Sequence, residues 1–334
     1  MQFDELRRRE FVALLGGAAF AWPLAARAQQ PDRMRRIGWL DQYDERAPEA
    51  QAIRKALREG LAALGWIESR NLKIDERFAA ADLNRIRAYA AELVALAPEV
   101  LVTPSAVPTR ALQRATQTIP IVFTGGGDPA ANGLVSNIAR PEGNTTGFSG
   151  GEVTTAGKRL ELLKEAAPFV SHVLIVFKPE VAPTAPNYIA SIEAAARPLA
   201  VETVKLPFHD AVDLVRSIDA FAAPPNGGLL MLPPPLVADR ITFLKLAIQH
   251  RLPAIYSARA LAVEGGLIAY SSDLVDQSRR AASYVDRLLR GAKVADLPVQ
   301  FPTKYQLVVN MKTASAIGLT IPEAFLLHAD ELIE

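Results

Sequence analysis

Six short segments of this sequence carry residue types suited to gripping a small polar molecule. They are Thr103-Pro104-Ser105-Ala106, Thr124-Gly125-Gly126-Gly127-Asp128, Phe177-Lys178-Pro179, Leu232-Pro233, Tyr256-Ser257 and Tyr270-Ser271-Ser272-Asp273. Hydroxyls and backbone amides at helix starts suit a carboxylate. An Asp suits an ammonium through a charge-assisted hydrogen bond. Tyr and Phe supply an apolar wall. Together they fit a small polar or zwitterionic organic molecule better than a phosphate or a metal ion.

Each segment also has a purely structural reading. Ser105 and Thr109 read equally as helix caps. Asp128-Pro129 reads as the cap and first turn of a helix starting near Ala130. Gly125 to Gly127 supply positive φ. Tyr256 reads as core filling, and Asp273 as the cap of the helix after it. Asn144-Thr145-Thr146 matches a glycosylation acceptor, which a bacterial-type leader argues against.

Catalytic patterns are present only in part. Gly147-Phe148-Ser149-Gly150-Gly151 fits the Gly-x-Ser-x-Gly nucleophile pattern, but Gly143, Asn144 and Gly147 loosen the approach to Ser149. That pattern needs a strand running into the Ser and a helix leaving it at once. A serine hydrolase using Ser149 is therefore the weak alternative. Gly151 to Lys158 is one residue too long for a phosphate loop and lacks its final Ser/Thr. No Gly-x-Gly-x-x-Gly follows the first strand, and no His-Glu-x-x-His exists.

Composition narrows the field further. The chain has 334 residues with 37 Lys+Arg, 36 Asp+Glu, 4 His and no Cys. It is 50% hydrophobic, a globular mix of two-domain length. A net charge of +1 argues against a nucleic-acid partner. Absence of Cys removes disulfides, thiol nucleophiles and Cys-bound metals. No enzyme, cofactor or metal site is expected.

Residues 1–28 read as an export signal. Arg7, Arg8 and Arg9 form the charged start, Phe11 to Ala21 the apolar run, and Ala26-Arg27-Ala28 the cleavage site. Arg8-Arg9-Glu10-Phe11, with Gly16 and Gly17 softening the apolar run, fits the twin-arginine route. The leader holds four Arg and the three acids Asp4, Glu5 and Glu10, so its removal takes 37 against 36 to 33 against 33. A soluble periplasmic protein, monomeric and cut after Ala28, is expected.

The elements that would position these loops alternate regularly. Strands are predicted at Ile37–Leu40, Leu72–Phe78, Val100–Thr103 and Ile121–Phe123, with helices at Glu49–Leu64, Leu83–Leu96 and Thr109–Ala115. Gly147–Gly151 reads as a loop. A second set follows. Its strands are Val173–Phe177, Val201–Leu206, Gly228–Leu232, Ala254–Tyr256 and Leu267–Tyr270. Its helices are Thr155–Ala166, Asn187–Leu199, Asp213–Phe221, Val237–His250 and Asp276–Leu289. Repeated βα units imply parallel sheets with helices on both faces. Ligands in such sheets bind beyond the carboxyl ends of strands, where the six segments lie.

Longer motifs carry a family resemblance. They run through Ile119-Pro120-Ile121-Val122-Phe123, Arg140-Pro141-Glu142-Gly143-Asn144-Thr145-Thr146-Gly147-Phe148-Ser149 and Arg251-Leu252-Pro253-Ala254-Ile255-Tyr256. Gly265-Gly266-Leu267-Ile268-Ala269-Tyr270, Asn310-Met311-Lys312-Thr313-Ala314 and Gly318-Leu319-Thr320-Ile321-Pro322 continue them. Over roughly residues 34 to 334 the chain resembles the TrpX-like substrate-binding proteins of ABC transporters. The resemblance implies the type I periplasmic-binding fold, with two Rossmann-like α/β lobes joined by three hinge crossovers and no catalysis. It implies lobe 1 at 34–149 plus about 271–297, and lobe 2 at 150–270 plus about 298–334. The third crossover is expected near Leu297–Phe301. Carried over, ligand contacts fall on Thr103, Ser105, Ala106, Thr124, Asp128 and Thr146 in one lobe, and on Phe177, Tyr256 and Asp273 in the other. The implied partners are a small solute, an amino acid or aromatic carboxylate, and an inner-membrane ABC permease. A ligand sensor without transport is the alternative. Thr103-Pro104-Ser105-Ala106 stands where relatives more often have Gly-Thr-Pro-Ala, and Pro141-Glu142-Gly143-Asn144 where Pro-Gly-Gly-Asn is usual.

Overall fold

The structure is a computed structural model that describes residues 34–180, 182, 184–232 and 237–334. The leader read over residues 1–28, and Pro233, lie outside the described residues. Strands β1 (Arg35–Asp41), β2 (Leu72–Phe78), β3 (Val100–Thr103), β4 (Ile121–Gly125) and β5 (Thr145–Ser149) form a parallel sheet in the order β2-β1-β3-β4-β5. Helices α1 (Pro48–Ala63), α2 (Leu83–Ala95) and α3 (Ala106–Ala115) connect its strands.

The period of two along each strand sorts the first core into two layers. Ile37, Trp39, Val100, Val102 and Val122 pack with Ile53, Leu57 and Leu61 of α1. Leu40, Leu101 and Ile121 point the other way, against Ile86 and Leu93 of α2 and Leu112 of α3. Pro48 opens α1, where its missing N–H costs nothing. The Asp82 carboxylate caps α2 by accepting from the amides of Asn84 and Arg85.

A second sheet holds β6 (His172–Phe177), β7 (Glu202–Pro207), β8 (Gly227–Met231), β9 (Ala254–Tyr256), β10 (Ile268–Ser272), β11 (Tyr305–Asn310) and β12 (Glu331–Ile333), in the order β12-β11-β10-β9-β8-β6-β7. All pairs are parallel except β10–β11. One face carries α4 (Thr155–Ala166), α5 (Ala185–Ala196), α10 (Met311–Ile317) and α11 (Glu323–Leu326). The other carries α6 (Ala211–Phe221), α7 (Val237–Gln249) and α8 (Arg259–Val263). Here too, alternate residues serve alternate faces: Val173 and Ile175 join one core, Leu174 and Val176 the other.

Helix α9 (Leu274–Leu289) follows β10 in sequence but packs on the first sheet, burying Ala281, Ala282, Val285 and Leu289 with α1. The two helices approach closely at Gly60, where a Cβ would lie 2.7 Å from the Cβ of Ala282. Gln300 then bridges to Phe148 on the free edge of β5, its carbonyl accepting from the Ser149 amide at 2.7 Å. The chain re-enters the second sheet at Tyr305.

Two local expectations need correction. Gly147–Ser149, read as the start of a loop, belong to strand β5 (Thr145–Ser149), and all five of its residues are buried. Its Thr, Gly and Ser are small enough to sit between β4 and the covering segments, so the strand lacks the apolar pattern by which strands are found. No helix begins at Ala130; the segment forms turns, and Asp128 Oδ1 accepts from the amides of Ala130 and Ala131 instead. The tail beyond Phe301 adds β11 antiparallel to β10 and then β12.

Candidate functional site

In the first sheet the connections diverge between β1 and β3, one leading to β2 and the other to β4. The carboxyl ends at such a divergence open a crevice. The loops Gln42–Tyr43 after β1, Pro104–Ser105 after β3 and Gly125–Gly127 after β4 line a cavity of about 230 Å³ there. Its opposite wall comes from the second sheet and its helices: Arg159 of α4, Tyr188 of α5, Ser257 and Ala258 after β9, Arg259 of α8, and Ser271 and Ser272 of β10. Asp273 and Leu274, where the chain crosses between the sheets, close one end. The volume sits just below the range of about 300–1,000 Å³ usual for drug-sized ligands. It suits a molecule of amino-acid size.

Backbone shape in the first wall depends on glycine. Gly126 has φ +79°, and a Cβ there would lie 2.8 Å from the Ala106 amide at the start of α3. Gly127, at φ +73°, admits the Tyr188 hydroxyl, which would stand 2.5 Å from a Cβ. That hydroxyl accepts from the Asp128 amide at 3.1 Å, so α5 touches the loop of the opposite wall.

Ser105 begins α3 in extended geometry, but its side chain makes no cap bond and its buried Oγ has no partner among the described residues. The Thr109 hydroxyl instead bonds the Ser105 carbonyl at 2.6 Å. The first amides of α3 are thus left for another acceptor. Asp273 does two things at once. Its Oδ1 accepts from the Asp276 amide at 2.9 Å and its Oδ2 from Gln306 Nε2 at 3.3 Å, while the residue also lines the cavity.

The strongest electrostatics lie on residues outside the six segments. Arg159 is only 5% exposed; its Nε donates to the Tyr270 carbonyl at 3.0 Å, and its Nη1 has no partner among the described residues. Burial lowers its pKa to about 10. Glu49, in the first turn of α1, has a buried Oε2 without a partner among the described residues. Burial, with Asp41 adding its like charge, raises Glu49 to about 7. Asp41 itself is fully buried at the end of β1 and raised to about 6, despite accepting from the Tyr43 amide and Trp39 Nε1.

The cavity therefore gathers Ser105, Ala106 and Asp273 from the expected contacts. Thr103 and Thr124 sit one step back in their strands, fully buried, with Oγ1 atoms unpartnered among the described residues. Asp128 faces its own turn. Thr146 Oγ1 donates to the Leu297 carbonyl at 2.5 Å. Phe177 packs into the core of the second sheet. Tyr256 lies in the opposite core of that sheet, 1% exposed and edge-on to Phe243 at 5.7 Å, because the strand's alternation turns it away from the crevice. None of these six lines the cavity.

Ser149 also has a defined place. Its Oγ lies 3.0 Å from the carbonyls of Gly127 and Gly151 and accepts from the Gly151 amide, and none of the four His bonds to it. A catalytic Ser needs a base within reach. Here the hydroxyl ties a crossover to the Gly127 loop. Gln277 of α9 completes the tie, accepting from the Gly125 amide at 3.0 Å and donating to the Ser149 carbonyl at 2.8 Å. Ser272 adds a bond to the Gly150 carbonyl at 3.0 Å.

Signals for the missed residues were present. Arg159 falls on the apolar stripe of α4, with Ala156, Leu160 and Leu163, where a charge has no structural reason to be. Glu49 lies one turn before Ile53 on the buried side of α1. Tyr43 follows the first strand, where the same carboxyl-end rule applies.

The model of the ABC transporter substrate binding protein family matches residues 46–333. The chain belongs to this family. As a substrate-binding protein it is 23% identical over 278 residues to a tyrosine-binding protein of Clostridioides difficile, spanning 81% of this chain and 78% of that one. A conserved domain protein from Vibrio cholerae superposes with a TM-score of 0.81 at 27% identity, covering 90% of this chain and all of the other. An ABC domain from Streptococcus in complex with L-Trp gives 0.80 at 23% identity, covering 90% and 99%. The resemblance to TrpX-like proteins and the type I periplasmic-binding fold are both borne out. Among the described residues no helix is long and apolar enough to cross a membrane, and no cluster of His, Asp and Glu could hold a metal.

Proposed function

We propose that this substrate-binding protein is the exported component of an ABC importer, working in the periplasm as a monomer after cleavage at Ala28. It captures an amino acid or aromatic carboxylate and delivers it to an inner-membrane permease. The observation that carries this reading is the cavity of about 230 Å³, lined from both sheets by loops at strand carboxyl ends. Tyr43 and Tyr188 offer flat apolar walls, and Ser105 with the first turn of α3 offers donors for a carboxylate.

The two sheets with their helices act as lobes, residues 34–149 with about 271–297 and residues 150–270 with about 298–334. A solute touching both walls binds the closed form better than the open one and shifts the population accordingly. Three crossovers side by side restrict the motion to a hinge.

A thermal-shift screen of amino acids and aromatic acids tests the reading, with at least one compound expected to raise Tm. If none does, and the protein cleaves ester substrates, the binder gives way to the hydrolase. Sequencing the N-terminus of the periplasmic protein tests export: it should begin at Gln29.

A further inference from the structure

We infer that Thr184 and Asn132 form a latch that holds the two lobes together whatever lies between them, so that the lobes also close without a solute. The inference takes from the proposed function only that the lobes open and close, and adds what holds them shut.

The latch bond crosses from one lobe to the other. Thr184, at the start of α5 on the second sheet, donates from Oγ1 to Asn132 Oδ1, in the turn that follows β4 of the first sheet, at 2.7 Å. One helical turn further along α5, the Tyr188 hydroxyl accepts from the Asp128 amide of the same turn at 3.1 Å. None of these four residues belongs to a crossover, so the chain itself does not enforce either contact.

Local structure frees the Thr184 hydroxyl for this bond. A Thr before a helix ordinarily caps it by accepting from an amide of the first turn. Here the second helical residue is Pro186, which has no N–H, and the amide of the third, Asn187, is taken by the Thr184 carbonyl at 3.0 Å. Thr184 accordingly makes no side-chain cap bond, and its hydroxyl turns to the other lobe. Asn132 is fixed to receive it. Its Nδ2 donates to the Gly126 carbonyl at 2.7 Å, its backbone N–H donates to the Asp128 carbonyl at 2.9 Å, and its own carbonyl accepts from Arg110 at 2.9 Å. With those groups engaged, Oδ1 is held toward α5.

The latch is separable from solute recognition. Asn132, Ala182 and Tyr188 line the cavity, whereas Thr184 does not. On opening, the Thr184 hydroxyl and Asn132 Oδ1 exchange each other for water. The bond therefore favours the closed form by what one net hydrogen bond contributes, roughly threefold to tenfold in the ratio of closed to open. A solute adds its own preference to that ratio and does not create it.

Spin labels on the solute-free protein test this. The chain has no Cys of its own. Labels on Lys55→Cys in α1 and Lys245→Cys in α7, both exposed positions, therefore report the distance between the lobes by double electron–electron resonance. A closed population should be present without solute. Thr184→Val should lower the ratio of closed to open roughly threefold to tenfold, and Thr184→Ser, which keeps the hydroxyl, should restore it. In stopped flow, L-tryptophan and L-tyrosine should leave Thr184→Val faster by that same factor. Circular dichroism checks the fold; should Thr184→Val fail it, Thr184→Ala takes its place, since no cap bond is lost. A solute-free protein that is wholly open, or a distance distribution that the substitution leaves unchanged, overturns the latch and leaves the solute binder standing. A latch that responds as expected in a protein that binds neither amino acid nor any acid of the screen stands, and overturns the solute-binding reading instead.

Discussion

Two regions a few residues apart treat their polar atoms in opposite ways. At the crossovers, Ser149, Gln277, Ser272 and the backbone of Gly125 to Gly151 satisfy one another. In the cavity beside them, Glu49, Arg159 and Ser105 each have a buried side-chain atom unpartnered among the described residues. Saturated polar groups define one geometry and resist change. Unsatisfied ones store a demand that a solute can meet. On the proposed function, the contrast separates the part of the molecule that fixes the lobes from the part that selects what lies between them.

The crossovers should be broken most expensively. Gln277→Leu leaves the Gly125 amide and Ser149 carbonyl buried without partners, and should cost about 2–4 kcal/mol, read as a fall in Tm of ~5–10 °C. Ser149→Ala removes a single hydroxyl and should cost about 1–2 kcal/mol while solute binding survives. Loss of binding in Ser149→Ala without loss of stability would erase the distinction between the two regions.

The cavity should instead respond to pH. The folded state raises Glu49 from 4.5 to about 7 and Asp41 from 3.8 to about 6, so it binds protons more tightly than the unfolded chain does. The stability this contributes is complete below pH 4 and is lost as pH rises through 6 and 7. Tyr43, Arg54, Arg240, Arg259 and Glu264 face the pair and set the size of the effect. The solute-free protein should lose several degrees of Tm between pH 5 and pH 8, and Glu49→Gln should flatten the slope. An unchanged slope in that variant would remove Glu49 from the account.

The smallest effect is expected at Tyr256. Its hydroxyl is buried without a partner among the described residues, away from the cavity. Tyr256→Phe should change stability by less than about 1 kcal/mol, in either direction, and leave affinity unaltered. A tenfold loss of affinity would return Tyr256 to the binding site.

Most of the framework was legible because its signal is local. Leu72–Phe78, Val100–Thr103, Ala254–Tyr256 and Thr155–Ala166 have the bounds their periods predict. Strand β5 was not legible, since Thr, Gly and Ser report burial only when the neighbours are known. The site was half legible. The carboxyl-end rule pointed to loops that line the cavity, Ser105 and Asp273 among them. It could not say which residue of a loop turns inward, and Tyr256 and Thr124 do not line the cavity. Arg159 and Glu49 ride on helices, where a charge reads as a solvated face until packing shows otherwise.

The return of α9 to the first sheet has a consequence for how the molecule comes into being. Trp39, Leu57 and Leu61 are covered by a helix that begins at Leu274, after most of the second sheet has been made. A growing chain cannot seal its first sheet as an independent unit while it is being synthesised. That apolar face stays open until α9 emerges, and contacts so distant in sequence form slowly. Folding is therefore a late event of the whole chain, and a fragment ending before Leu274 should aggregate where the full chain does not.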